Sequence, residues 1–367
     1  RPAGRPAAAM GAAAGGGLAL AARREPAAVI WIRSKHGAQF QLDLDTLTQD
    51  LAYTGVKLFV VTDSNEAMDK ARSLGPALRC VIQNWQRSSA DSGRDFIEEL
   101  QRYGGENQRH VPVLVLSHSV LTSPELQEEV RRLGEEPFPF DPAASPQGFA
   151  RLVEWIFRRC VGIEKSVLFV RHAQAEHNAT HDWNIKDPAL TAKGQRQCQS
   201  LAAARPPEVA TSQVILTSPM RRTLQTTLLA FGTAGLPVVC EALLQEAGEA
   251  PCDIGSDKAT LRQWFNGTGL NFEGLHDKWY EKEGVNKESR LPERMARLTG
   301  VIRGRREAGL VVVAHGTLLE TLLGLEREGP RLSWEVQGDF ENCECRSYWL
   351  LSCGTWLPAP SSPQAAT

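Results

Sequence analysis

The sequence predicts an α/β protein made of two three-layer α/β/α domains in tandem, and three observations predict it. The chain has 367 residues, which at about 150 residues per domain means two or three domains. Hydrophobic residues supply 42% and charged residues 23%, ordinary globular usage that excludes a wholly disordered chain. Short apolar runs alternate with amphipathic stretches along both halves, and parallel strands need a crossover helix between them.

The first domain is expected over residues 28–161, behind an Ala/Gly/Arg-rich disordered leader at 1–27. Its apolar runs place strands at 29–33, 58–62, 79–83, 112–117 and, most weakly patterned, 137–140. Helical patterns fall between them at 43–53, 65–73, 94–103 and 125–133. The last of these opens on Ser123 as cap and Pro124 in the first turn, where a missing N–H costs nothing. A fifth helix begins near residue 147. Its Phe149, Leu152, Val153, Ile156 and Phe157 recur at i, i+3, i+4, i+7 and i+8, a core-facing stripe. Five such β/α units make a doubly wound parallel sheet. A new strand at 166–170 starts the second domain, expected over 163–357, and a Pro/Ser/Ala tail at 358–367 is disordered by composition.

Composition also limits function. Forty-one basic and forty-three acidic residues give a net charge of -2, so nothing global points to nucleic acid or a polybasic membrane surface. No run approaches the ~20 strongly apolar residues of a membrane-spanning helix. The leader sets Arg1, Arg5, Arg23 and Arg24 against Glu25 alone, yet lacks the serines of an organelle transit peptide, which leaves targeting open. Eight cysteines without small-scaffold spacing read as free thiols in a reducing compartment, so a cytoplasmic location is expected. Cys343 and Cys345 form a lone C-x-C without the further ligands of a tetrahedral metal site.

The chemistry gathers at three strand ends, where α/β sheets bind ligands. The first ends in Val170-Arg171-His172-Ala173-Gln174-Ala175-Glu176-His177-Asn178. Leu216-Thr217-Ser218-Pro219 ends a second and enters a helix carrying Arg222, Gln225 and Thr226. A third, from Leu310, ends in Ala314-His315-Gly316-Thr317. Two arginines and two histidines thus meet in a near-neutral chain. His172, His177 and His181 could suggest a metal cluster instead, but only His177 and His181 have i, i+4 spacing and no third ligand is fixed nearby.

These segments resemble the histidine phosphatase superfamily, in its phosphoglycerate mutase-like branch, over residues 163–355. The family's R-H-G-x-x-x-x-N stands here as Arg171-His172-Ala173 through Asn178, its S-P-L-x-R-A-x-Q-T as Ser218 to Thr226, and its V-x-x-H-G as Val312 to Gly316. Asp187-Pro188-Ala189-Leu190-Thr191 with Gly194 matches the family's D-x-x-L-T-x-x-G. The resemblance implies a phosphoglycerate mutase-like fold and a phosphoryl transfer without metal or cofactor. His172 is then the nucleophile that becomes phosphohistidine, and Arg171 and Arg222 grip phosphate oxygens with planar forks. His315 is the fourth member, donating to an oxygen, and Asn178 adds a neutral hydrogen bond. The family's general acid matches Glu246 after Leu244-Gln245, with Glu249, Asp253 and Glu176 as rivals.

Two departures, Ala173 for glycine and Gln174 for the mutases' glutamate, argue against a glycolytic mutase more than against catalysis. An insert between Cys252 and Ser289 carries Trp264, Phe265, Trp279, Tyr280, Lys278 and Lys282, and corresponds to the family's cap over the site. Its aromatics are expected to form the cap's own small core. The helix after it uses Leu291, Met295, Leu298 and Val301 or Ile302 for packing, and Asn342-Cys343-Glu344 is expected to be structural. The resemblance therefore implies a metal-independent phosphomonoester phosphatase acting on a small phosphorylated substrate. The alternatives are a mutase-type phosphotransferase and a non-catalytic phospho-ligand-binding protein, and the complete Arg171, His172, Arg222, His315 set weighs against the latter.

The first domain resembles, mostly in topology, the receiver domain of two-component signalling. Arg33, Ser34 and Lys35 stand where receivers carry an acidic pair, and Gln83 and Asn84 where they carry the phosphoacceptor. Only Ser117 matches the switch hydroxyl. The resemblance implies a degenerate receiver that docks a protein partner; a flavodoxin-like fold without that ancestry fits as well.

Overall fold

The computed structural model describes residues 27–32, 44–83, 93–116, 122–138, 146–325 and 331–360. Residues 1–26 and 361–367 lie outside these, as do Arg33, Ser34, Lys35, Asn84 and Ser117, on which the receiver resemblance turns. The chain divides into two compact units, Arg1–Pro139 with Arg327–Ser333, and Phe140–Glu326 with Trp334–Thr367.

The first unit runs β1 (Ala27–Ile32), α1 (Leu44–Tyr53), β2 (Val56–Val61), α2 (Ser64–Leu74), β3 (Leu78–Gln83), α3 (Gly93–Glu106), β4 (Val113–Val115), α4 (Pro124–Arg132) and β5 (Glu136–Pro137). Its strands pair in parallel in the order β2-β1-β3-β4-β5, the doubly wound order of the flavodoxin type. Residues alternate in register with the pleat. Ile30, Ile32, Val81, Val113 and Val115 share a core with Met68 of α2, Phe96, Ile97 and Leu100 of α3, and Leu126 and Val130 of α4. Helix starts are set by side chains: Asp63 accepts from the Glu66 N–H at 2.8 Å, and Ser123 from that of Leu126 at 3.3 Å. Each such cap is worth about 1 kcal/mol. Residues 331–333 return to this unit because the buried Asp50 carboxylate accepts from both the N–H and the hydroxyl of Ser333, at 2.9 and 2.6 Å.

The second unit opens with α5 (Pro146–Cys160), so the boundary falls between Pro139 and Phe140 rather than after residue 161. The helix is where its apolar stripe places it, but its partners belong to the second unit: Phe157 packs against Trp334 and Trp349, and Phe149 against Trp334. Then come β6 (Ile163–Arg171), α6 (Glu176–Thr180), α7 (Ala192–Ala204), α8 (Pro207–Thr211), β7 (Val214–Thr217), α9 (Arg221–Phe231) and β8 (Val238–Cys240). The chain continues through α10 (Lys258–Trp264), α11 (Leu291–Gly304), β9 (Gly309–Ala314), α12 (Gly316–Leu323), β10 (Cys345–Leu351) and β11 (Trp356–Pro358).

These strands form one sheet in the order β11-β10-β6-β9-β7-β8, parallel from β6 to β8 and antiparallel at β10 and β11. Both faces are covered. Val167, Phe169, Leu216, Leu310 and Val312 face Leu298 and Ile302 of α11 and Leu319 of α12, while Leu168, Val170, Ile215, Val311 and Val313 face Cys198 of α7 and Phe231 of α9. Between Val301 and Ile302 the core takes Ile302, fully buried, and leaves Val301 37% exposed. Among the described residues no helix is long and apolar enough to cross a membrane.

Candidate active site

The sheet order brings three strand ends side by side, β6, β9 and β7, and backbone pairing carries on past the outer two. The His172 N–H donates to Ala314 O at 2.9 Å and the Ser218 N–H to Val313 O at 3.0 Å. His315, after the central strand, therefore sits between the other two. Its ring centroid lies 5.2 Å from that of His172, and its Nε2 shares a 2.9 Å hydrogen bond with Ser218 Oγ.

His172 is 1% exposed. Its Nδ1–H donates to the Ala173 carbonyl at 2.8 Å, which leaves Nε2 as the lone-pair nitrogen. Burial, then the charges of Arg222 and Arg171, hold its pKa well below the usual imidazole range, so the ring is neutral. His315 is held neutral in the same way, by burial and Arg222.

Arg222, in the first turn of α9, is fully buried. It donates through Nε to His172 Nε2 at 3.2 Å and through Nη1 to the Cys252 carbonyl at 2.8 Å. Its Nη2 is buried without a hydrogen-bond partner and lies 4.0 Å from Asp253 Oδ1. Arg171 donates through Nη1 to Phe340 O, and its Nε too is buried and unpartnered. A Cβ at Gly316 would come within 3.2 Å of this guanidinium, which explains the glycine after His315. The turn before β10 fixes the backbone at Arg171 and His172. The N–H of Cys343, at φ 67°, reaches the carbonyls of Arg171 and His172, each at 3.2 Å, and Asn342 Nδ2 donates to His172 O.

Glu246 belongs to the same cluster. Its Oε1 accepts from the Ala247 N–H at 2.7 Å and from the Leu318 N–H at 3.2 Å, in the first turn of the helix that His315 caps. Burial, then the charge of Asp253, raises its pKa above the usual carboxylate range despite those donors. Two cap and helix cations fix its main chain: Lys282 Nζ donates to Glu246 O at 2.7 Å, and Arg294 donates through both Nη atoms at 3.3 and 3.2 Å. Burial pushes Lys282 down to about 8 and Arg294 to about 10. The rivals stand apart in role. Glu249 is exposed and accepts from the Glu288 N–H, Glu176 is exposed and accepts from the Ala189 N–H, and Asp253 is buried beside Arg222.

Asn178 is in place but differently employed. Its Oδ1 accepts from the Ala175 N–H at 3.1 Å and its Nδ2 meets His177 Nε2 at 3.1 Å. The residue that sequence reading passed over is His177, which it weighed only as a metal ligand. It is buried, with its ring centroid 5.9 Å from that of His172. His181 instead ends α6 in a left-handed conformation and is exposed. Among the described residues no three His, Cys, Asp or Glu side chains converge as a metal site would need. The motif around Asp187 also splits in two. Thr191 caps α7 by accepting from the Gly194 N–H at 3.0 Å, while the buried Asp187 accepts from the Arg221 N–H at 2.9 Å and so anchors the start of α9. In the cap, Phe265 and Trp279 are buried core with Phe272 and Leu275, as expected, and Trp264 carries the Arg221 guanidinium over its ring at 4.4 Å.

Residues 167–346 match the family profile of the histidine phosphatase superfamily, branch 1. A Schizosaccharomyces pombe protein named a probable phosphatase is 35% identical over 122 residues, 32% of this chain, and the match spans 56% of that relative's length. An Arabidopsis thaliana phosphoglycerate mutase-like protein is 27% identical over 233 residues, covering 51% of this chain and 81% of its own. A solved alpha-ribazole phosphatase from Shigella flexneri aligns over 55% of this chain and 98% of its own at 16% identity and a TM-score of 0.37, a level at which the likeness carries no weight. The second unit, over residues 167–346, is a member of the histidine phosphatase superfamily, branch 1.

Proposed function

We propose that the second unit hydrolyses a small phosphomonoester through a phosphohistidine on His172, without a metal ion. The observation that carries this reading is the His172 imidazole itself: neutral, buried, its Nδ1–H committed to Ala173 O and its Nε2 lone pair beside the Arg222 guanidinium. The name of the Schizosaccharomyces pombe relative, a probable phosphatase, supports hydrolysis.

The residues suit the chemistry in order. Nε2 attacks phosphorus as the ester P–O bond breaks, and Glu246 in its protonated form gives its proton to the departing alkoxide. Arg171, Arg222 and His315 surround the equatorial oxygens, where charge is spread in the transition state. Water then attacks the phosphohistidine, losing its proton to the Glu246 carboxylate, and inorganic phosphate and free His172 result. A neutral imidazole is required at the first step, and burial among two guanidiniums supplies it.

The test uses the full chain and a generic phosphomonoester. His172→Ala should remove hydrolysis while leaving the circular dichroism spectrum unchanged, and acid-labile radiolabelled phosphate should be trapped on the wild type alone. Substantial activity in the purified variant would sink the assignment. The first unit is proposed as a docking module for a protein partner, since a flavodoxin-type sheet by itself specifies no activity.

A further inference from the structure

The hydrogen-bond directions around Asn178 can be fixed one after another. The Ala175 N–H can only donate, so the Asn178 atom that meets it at 3.1 Å is the amide oxygen. The amide nitrogen then faces His177 Nε2 at 3.1 Å and donates to it. A ring nitrogen that accepts carries no proton, and in a neutral imidazole the proton must therefore sit on Nδ1. Burial and the charges of Arg222 and Arg171 push the His177 pKa down to about 3, so the ring is neutral.

The Nδ1–H that results has no hydrogen-bond partner, and its side chain is 4% exposed. Buried donors are almost always paired, because leaving one unpaired costs its full desolvation. The ring is also held in place on both sides. Trp183 packs edge-on at 5.6 Å between centroids, and the Trp183 carbonyl accepts from the N–H of Cys252, whose own carbonyl holds Arg222. On the other side lies the His172 ring at 5.9 Å. His177 Nδ1 thus joins Arg171 Nε, Arg222 Nη2 and His315 Nδ1 among the buried nitrogens around His172 that lack a hydrogen-bond partner.

We propose that His177 contacts the substrate, its Nδ1–H donating to a non-bridging phosphate oxygen beside Arg171, Arg222 and His315. This rests on the phosphomonoesterase reading of the same site and goes beyond it. It moves the neutral donor from Asn178 to His177 and makes Asn178 a positioning residue that fixes the tautomer. A neutral donor shares the phosphate charge without adding a further cation beside a nucleophile that must stay unprotonated.

Inorganic phosphate is the probe, bound by the full chain and followed by calorimetric titration. His177→Phe keeps the ring and removes the donor, and should weaken phosphate binding about tenfold or more. His177→Asn returns an N–H near the Nδ1 position and should bind within about threefold of the wild type. In the unsubstituted protein, the Nδ1–H proton resonance of His177 in a 15N-histidine spectrum should move on adding phosphate. Wild-type binding with an equal affinity in a stably folded His177→Phe, or an unmoved resonance at saturation, overturns the contact and leaves the site reading standing. Absence of phosphate binding by the wild type overturns both.

Discussion

Arg222 donates its Nε–H to Nε2 of His172 at 3.2 Å, so a fully buried guanidinium and a buried imidazole share one hydrogen bond. The same guanidinium holds the Cys252 carbonyl, and only a planar, multi-donor group can do both. Arg222→Lys keeps the charge and loses the fork. It should lower kcat/KM by about 10²-fold. It should also lower the melting temperature, because a buried carbonyl left unpaired costs about 1–3 kcal/mol. Steady-state kinetics on a phosphomonoester and thermal melts of the same preparation check both; a fully active variant would remove Arg222 from the phosphate cradle.

Glu246→Gln separates the acid from the rest of the site. Glutamine still accepts from the Leu318 N–H but cannot release a proton. Hydrolysis of an alkyl phosphate should fall by about 10² to 10⁴. An aryl phosphate, whose phenolate leaves unaided, should fall much less. Comparing the two substrates tests the role directly, and an equal loss on both would point to a structural effect.

The pH dependence arises from two opposite shifts. His172 stays unprotonated well below its ordinary 6.5, so activity should persist into acid solution. Glu246 keeps its proton above the ordinary 4.5, and activity on alkyl esters should decline as the pH rises through its raised pKa. The kcat/KM profile is then a bell displaced to acid. In Glu246→Gln the alkaline limb should flatten; an unchanged limb would assign it to another group.

Gly194 is a stability test placed beside the chemistry. A Cβ there would lie 2.1 Å from Gln174 O, a backbone atom two residues past His172. Gly194→Ala must therefore push α7 and the loop after β6 apart, at about 1–3 kcal/mol. Chemical denaturation should show the loss, and kcat should fall with it, whereas Gly300→Ala, inside α11 with open space at its Cβ, should leave kcat unchanged and raise stability by about 0.5–1 kcal/mol.

Much of this architecture was legible before any coordinates. Strands β1 to β4 of the first sheet and β6, β7 and β9 of the second announce themselves as apolar runs, and Arg171, His172, Arg222 and His315 could be singled out because each sits at or soon after such a run. What a stripe of apolar residues cannot state is its partner. Phe149 and Phe157 identify the face of α5, but only Trp334 and Trp349, nearly two hundred residues away, decide which unit owns it. The same holds within the site. Asn178 matches its motif position, yet its use depends on the backbone direction at Ala175, and Lys282 reaches Glu246 across an insert whose path the local pattern does not fix.

Cys343 grips the carbonyls of Arg171 and His172 from the far end of the chain. A contact that spans so much sequence forms late, because the intervening chain must first be closed into a loop. A polypeptide emerging from the ribosome through α12 already carries Arg171, His172, Arg222, Glu246 and His315, but not β10 and the turn before it that pin the backbone at Arg171 and His172. On the proposed mechanism, competence for hydrolysis arrives with β10, and truncation ahead of it should yield a chain with the reactive groups and no working geometry.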